Sequence, residues 1–117
     1  MTTVNAYPSF ATLRARRLAQ RRADALAALR IAEKAVREQG GRLVVFGSLV
    51  DGGFGERSDL DVAILGVPSG RDSELAAEID TLLTTAGFFT DVLPERFMAP
   101  SLRARVLSDG REPSSLG

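Results

Sequence analysis

Apolar positions along the chain change period several times, and each change marks an element. From Phe10 to Gln39 the chain is rich in Ala, Leu and Arg, all strong helix formers. Leu18, Ala25, Leu29, Ala32 and Val36 fall on one helical stripe, which predicts a helix over 10–39 with Ser9 as its N-cap and Gly40-Gly41 as its stop. The stripe is thin before Leu18, so a break near Arg21-Arg22 is expected. Arg42 to Phe46, RLVVF, reads as a short buried strand turned by Gly47-Ser48, and Leu49–Ser58 reads as a glycine-bearing loop. Leu60, Val62 and Ile64 then alternate with Asp59, Asp61 and Ala63, the pattern of a strand with one apolar face. Gly66, Pro68 and Gly70 end it, and Ser69 with Asp72 three residues on resembles a capping box. Leu75, Ile79, Leu82, Leu83 and Ala86 predict a second helix that Gly87 stops; 88–93, FFTDVL, predicts a third strand. Pro94 and Pro100 bracket a turn, and a short helix over 101–108 ends before Gly110.

The order is helix, strand, strand, helix, strand, short helix. It predicts an α/β (α+β) fold: a small mixed sheet of three strands or slightly more, with helices on one face, preceded by a long N-terminal helix. The face carrying Asp59 and Asp61 is expected to stay open. No repeat or linker divides the chain, so one domain over 1–117 is expected. Within it lie a loose arm (1–8), the N-terminal helix (10–39), a catalytic core (42–109) and a tail (110–117). The tail REPSSLG is expected to be disordered.

Composition removes several chemistries. The 117 residues contain no cysteine and no histidine. That excludes disulfides, thiolate or imidazole metal sites and histidine acid–base catalysis. No apolar run reaches the ~18 residues of a membrane span, and no signal-peptide layout opens the chain; a cytoplasmic protein is expected. Charge sums to zero but is unevenly spread. Between Ala11 and Gln39 there are eight basic residues (Arg14, Arg16, Arg17, Arg21, Arg22, Arg30, Lys34, Arg37) against three acidic ones. This is either a solvated helix face or a surface for an acidic partner or a nucleic acid. The overall balance gives little support for nucleic-acid binding.

Chemistry must therefore rest on carboxylates, hydroxyls, arginines and backbone groups. Residues i and i+2 of a strand share a face, so Asp59 and Asp61 point the same way. Like charges held that close favour a divalent cation with oxygen ligands, and magnesium suits two carboxylates plus phosphate oxygens. Asp91, on the third predicted strand, is the candidate third ligand; three acids could hold two ions around a phosphoryl transfer. Gly47-Ser48 offers backbone N–H groups and a hydroxyl to an anion. Each feature also has a plain reading: a solvated strand edge, a simple turn, or a salt link from Asp91 to Arg96 or Arg42.

Gly47-Ser48, ten residues, then Asp59-Leu60-Asp61 resembles the signature of the polymerase-beta-type nucleotidyltransferase superfamily. The resemblance runs over about 43–109 through VVFGS, Gly52 and SDLDVAIL. The size resembles the minimal nucleotidyltransferases, small prokaryotic proteins commonly paired as antitoxins with a helical HEPN-type toxin. The resemblance implies transfer of a nucleoside monophosphate, usually AMP from ATP, onto a hydroxyl, which in toxin-paired members belongs to a tyrosine of the toxin. It implies that Gly47, Ser48 and Gly52 hold the triphosphate. It further implies that Asp59, Asp61 and Asp91 are catalytic and bind two Mg2+ ions, with Asp91 helping to deprotonate the acceptor. Positions that carry arginines in many members hold Leu49 and Asp51 here, which leaves Arg57 or Arg96 to supply positive charge near the nucleotide. The same departure favours a second reading, a non-catalytic antitoxin that neutralises by contact. Transfer to a small molecule would need room for a further acceptor domain.

Overall fold

The computed structural model describes residues 9–117; the predicted arm at 1–8 lies outside the described residues. Helix α1 (Phe10–Glu38) is capped by Ser9, whose Oγ accepts from the Thr12 backbone N–H at 3.1 Å. It is continuous through Arg21-Arg22, where the apolar stripe predicts a break. Its 29 residues include no Gly or Pro, so nothing interrupts the ladder over about 43 Å. The thin stripe has another cause: side chains are buried only from Ala25 onward (Ala25, Leu26, Ala28, Leu29, Ala32, Val36). Ahead of them no side chain is fully buried: Leu18, Arg21 and Arg22 are half-buried, and Phe10 is 92% exposed.

Strand β1 (Arg42–Phe46) leads through Gly47 into the short helix α2 (Ser48–Asp51). A loop connects to β2 (Leu60–Leu65), then α3 (Arg71–Thr85) and β3 (Thr90–Pro94). A 3-10 turn (Glu95–Phe97), α4 (Pro100–Asp109) and a second 3-10 turn (Pro113–Ser115) complete the described chain. The strands lie in the order β1-β2-β3, with β1 antiparallel and β3 parallel to β2. The parallel pair requires a crossover, which α3 provides.

One sheet face (Leu43, Val45, Leu60, Val62, Ile64) packs on α1 and on Leu75, Ile79 and Leu83 of α3, forming the main core. The opposite face, expected to be open, is closed at one end, where Val44, Ala63 and Leu65 are covered by Met98 and by Val106 of α4. The end that carries the acids is not covered.

Three local expectations shift. The Arg71 and Asp72 N–H groups both donate to the Pro68 carbonyl at 3.1 Å. α3 therefore starts after Gly70 (φ 97°), and Ser69 does not cap it. Strand β3 begins at Thr90 rather than Phe88: Phe88 is buried in the core and Phe89 is exposed. The tail is docked, not disordered. Arg111 exchanges two backbone hydrogen bonds with Val45, at 2.8 and 2.9 Å. Buried Glu33 accepts from the Ser114 N–H and hydroxyl, both at 3.0 Å, and Pro113 is buried. The segment lacks an apolar period because backbone groups and one carboxylate hold it.

Candidate active site

The site grows from the end of β1. Gly47 has φ 76° and ψ −147°, a region closed to residues with a Cβ. A Cβ there would also collide with the Asp61 carboxylate. The backbone entering α2 is thus packed directly on Asp61, with no side chain between them. Ser48 follows as the first, half-buried residue of α2. The Gly47 carbonyl accepts from Val50 and Asp51 at 3.1 and 3.0 Å, which closes the turn. Gly52 ends it in the left-handed conformation at φ 92°.

Asp59 stands just before β2 and Asp61 lies within it. Asp91 is the register partner of Asp61 on parallel β3, about 4.8 Å away across the strands. Asp61 and Asp91 share the face that α4 leaves uncovered at this end, and Asp59 stands two residues before Asp61. Asp59 and Asp91 are exposed and Asp61 is half-buried. The Asp61 carboxyl titrates above its ordinary range, first because burial penalises its charge, then because of Asp91, then Asp59. Asp91 and Asp59 thus each disfavour ionisation of Asp61.

The salt links that could have absorbed Asp91 go elsewhere. Arg96 donates from Nε to Asp72 at 2.7 Å and stacks 4.0 Å from the Phe97 ring centroid. Arg42 donates to Glu112 at 2.7 Å. Among the described residues, none of the three acids has an ion pair. Nor, among those residues, are three ligating side chains gathered tightly enough to form a ready-made metal cage. The donor set is nevertheless that of a hard cation: carboxylates on adjacent strands, with mutual repulsion that a divalent ion would relieve.

Gly52 and Arg57 lie beside the site along the chain: the Gly52 N–H donates to the Ser48 carbonyl at 3.1 Å, and Arg57 precedes Asp59 by two residues. Gly52 and Arg57 also line a cavity of about 620 Å³ between α1 and the glycine loop, together with Arg14, Leu18 and Phe54. The sequence reading missed Arg14; its only signal was the cluster of arginines at the start of α1. Arg21 fixes the loop against the helix, its guanidinium 4.6 Å from the Phe88 ring centroid and 5.7 Å from that of Phe54. Arg96, tied to Asp72, is removed as a source of charge for a nucleotide.

A mixed three-stranded sheet with an acidic ledge beside a Gly-Ser turn defines a nucleotidyltransferase-like protein. The profile described as "Nucleotidyltransferase domain" matches residues 29–112, and the chain belongs to that family. A solved structure described as that of a minimal nucleotidyltransferase is 27% identical, with a TM-score of 0.54. The match covers 92% of this chain and 98% of that one, so the chain is of the minimal nucleotidyltransferase type. A comparison with curated proteins finds no match. Among the described residues, no helix is long and apolar enough to cross a membrane.

Proposed function

We propose that this nucleotidyltransferase moves AMP from ATP onto a hydroxyl of a partner protein, and that it serves as the antitoxin to a HEPN-type toxin. The observation that supports the catalytic part is the register of Asp61 with Asp91, with Asp59 two positions before Asp61 and none of the three in an ion pair among the described residues. In this reading Ser48 and the Gly47 backbone hold the triphosphate, while Asp59, Asp61 and Asp91 hold divalent ions. Bound Mg2+ would neutralise phosphate charge and lower the pKa of the acceptor hydroxyl. The acceptor oxygen forms a bond to the α-phosphorus as the bond to the β-phosphate oxygen breaks. Pyrophosphate leaves with that electron pair, and Asp91 takes the hydroxyl proton and releases it to water.

Incubation with ATP labelled on the α-phosphate, Mg2+ and the co-purified partner should label the partner. Its intact mass should rise by one or more AMP units. Asp59→Asn with Asp61→Asn should abolish labelling while the fold persists; label retained in that variant, or no label with any of the four nucleotides, overturns the reading.

A second reading, neutralisation by contact alone, is favoured by one observation. On α2, beside the Gly-Ser turn, Leu49 is buried and Asp51 is exposed, so this short helix offers a phosphate an acid and no cation. The reading predicts that the Asp59→Asn, Asp61→Asn variant still neutralises the toxin.

A further inference from the structure

The apolar stripe that α1 buries from Ala25 onward begins well before it. Ala11, Ala15 and Leu18 stand at i, i+4 and i+7, and Ala25, Leu29 and Ala32 carry the same spacing into the core. Ala11 and Ala15 are exposed and Leu18 is half-buried. Three hollows run together along this overhang, and Leu18 lines each of them. One, of about 420 Å³, follows Phe10, Ala11, Arg14 and Ala15. The next, of about 250 Å³, is walled by Arg22 of α1, by Leu49 and Val50 of α2 and by Phe54. The third is the cavity beside the glycine loop. Together they form a trough with an apolar floor, about 18 Å long from Phe10 to Arg22.

The helix brings charge of one sign to this trough. Phe10 to Ala23 holds five arginines and no acid. Of the five, only Arg17 has an ion pair among the described residues, with Glu56. Arg21 Nε and Arg22 Nη1 are buried and find no hydrogen-bond acceptor among those residues. An unpaired buried donor is costly, and the walls that Arg22 meets in the trough are mostly apolar side chains.

We infer that the trough docks an acidic amphipathic helix of a partner protein, with its apolar face on the alanine and leucine floor and its carboxylates against Arg14 and Arg22. Small residues at Ala11 and Ala15 let a second helix approach closely, because the distance between packed helices falls with the size of the side chains at the contact. An apolar helix face laid in a groove is a common recognition mode. A second copy of this chain suits the place poorly, since its own overhang would set five more arginines against these. A nucleic acid's phosphates would meet the arginines and leave the apolar floor uncovered. A bilayer is flat, whereas α2 and Phe54 wall the trough. The inference goes beyond nucleotidyl transfer and does not depend on it.

The test is fluorescence anisotropy of a labelled peptide of about 15 residues, built of Leu and Glu with Leu at helical spacing. It is titrated with the full chain at near-physiological salt, without ATP. Saturable binding is expected. A peptide of the same composition with Leu shuffled out of that spacing, and one with Lys in place of Glu, should each bind at least about tenfold more weakly. Ala15→Gln sets polar bulk on the floor at unchanged charge, and Arg14→Ala with Arg22→Ala removes both cations; each should weaken binding about tenfold. Ala23→Gln, and Arg16→Ala with Lys34→Ala, make the same changes at exposed positions outside the trough. Both should stay within about twofold of wild type. Ala15 is exposed and glutamine is a good helix former, so the melting temperature of Ala15→Gln should hold. Absence of binding to the Leu/Glu peptide overturns the inference, as does equal binding of the shuffled peptide or equal weakening by the variants outside the trough. Two further results overturn it by assigning another occupant. One is a dimer in sedimentation that Ala15→Gln abolishes. The other is poly(U) RNA binding tighter than the peptide and weakened by the arginine pair but not by Ala15→Gln.

Discussion

Asp61 is the residue on which the site's physics converges. Its carboxyl is half-buried, faces Asp91 across the strand pair and carries Asp59 two positions before it. Because its folded pKa is raised above 3.8, the folded state holds the proton more tightly than the unfolded chain does. Its stabilising contribution is fully present below pH 3.8 and is lost as pH rises through the folded pKa. At neutral pH the ionised group is a burden on the fold. Asp61→Asn should therefore melt higher than wild type at pH 7, and the difference should shrink as the pH approaches 3.8; melts across that range check it. Gly47→Ala should cost about 1–3 kcal/mol in backbone strain alone, and more from the collision with Asp61. Adding Asp61→Ala should recover the second part and not the first, which a double-mutant cycle separates. At this scale the acids were legible because a strand's period of two is visible in sequence. The fates of Arg96 and Arg42 were not, since their partners, Asp72 and Glu112, are 24 and 70 residues away.

Elements were legible where they carry an apolar period of their own. The three strands and α3 do, and they stand within a few residues of their predicted ends. α1 shows the limit of that signal: its first half is helical by propensity without being buried, so periodicity suggested a break where composition held the helix together. The docked C-terminal segment shows the opposite limit. Glu33 is buried, and it accepts from Ser114 twice and from Arg37 at 2.9 Å. Nothing in a lone glutamate on a helix announces a partner 81 residues on. Glu33→Ala leaves the Ser114 N–H without its acceptor and should cost about 1–3 kcal/mol. Hydrogen exchange at Arg111–Leu116 should accelerate relative to wild type while α3 stays protected. Uniform acceleration across both would mean that the segment opens only with the whole molecule.

For the whole molecule, a formal charge of zero conceals a separation between the arginines of α1 and the acids of the ledge. Screening of dispersed surface charge and filling of a specific site therefore have different signatures. Monovalent salt weakens attraction and repulsion alike, so its effect on stability should be small and smooth. A divalent ion bound between Asp59, Asp61 and Asp91 stabilises only the folded chain, since the unfolded chain does not bring β2 and β3 together. The linkage is RT ln(1 + [L]/Kd), about 2.7 kcal/mol at a hundred times Kd. Magnesium should raise the melting temperature of wild type well beyond sodium chloride of equal ionic strength. Asp91→Asn should lose most of that excess although Asp59 and Asp61 remain, because the site needs both strands. An equal response of wild type and Asp91→Asn would mean that the ion reads only the Asp59–Asp61 pair, and that the parallel register of Asp61 with Asp91 has no part in binding it.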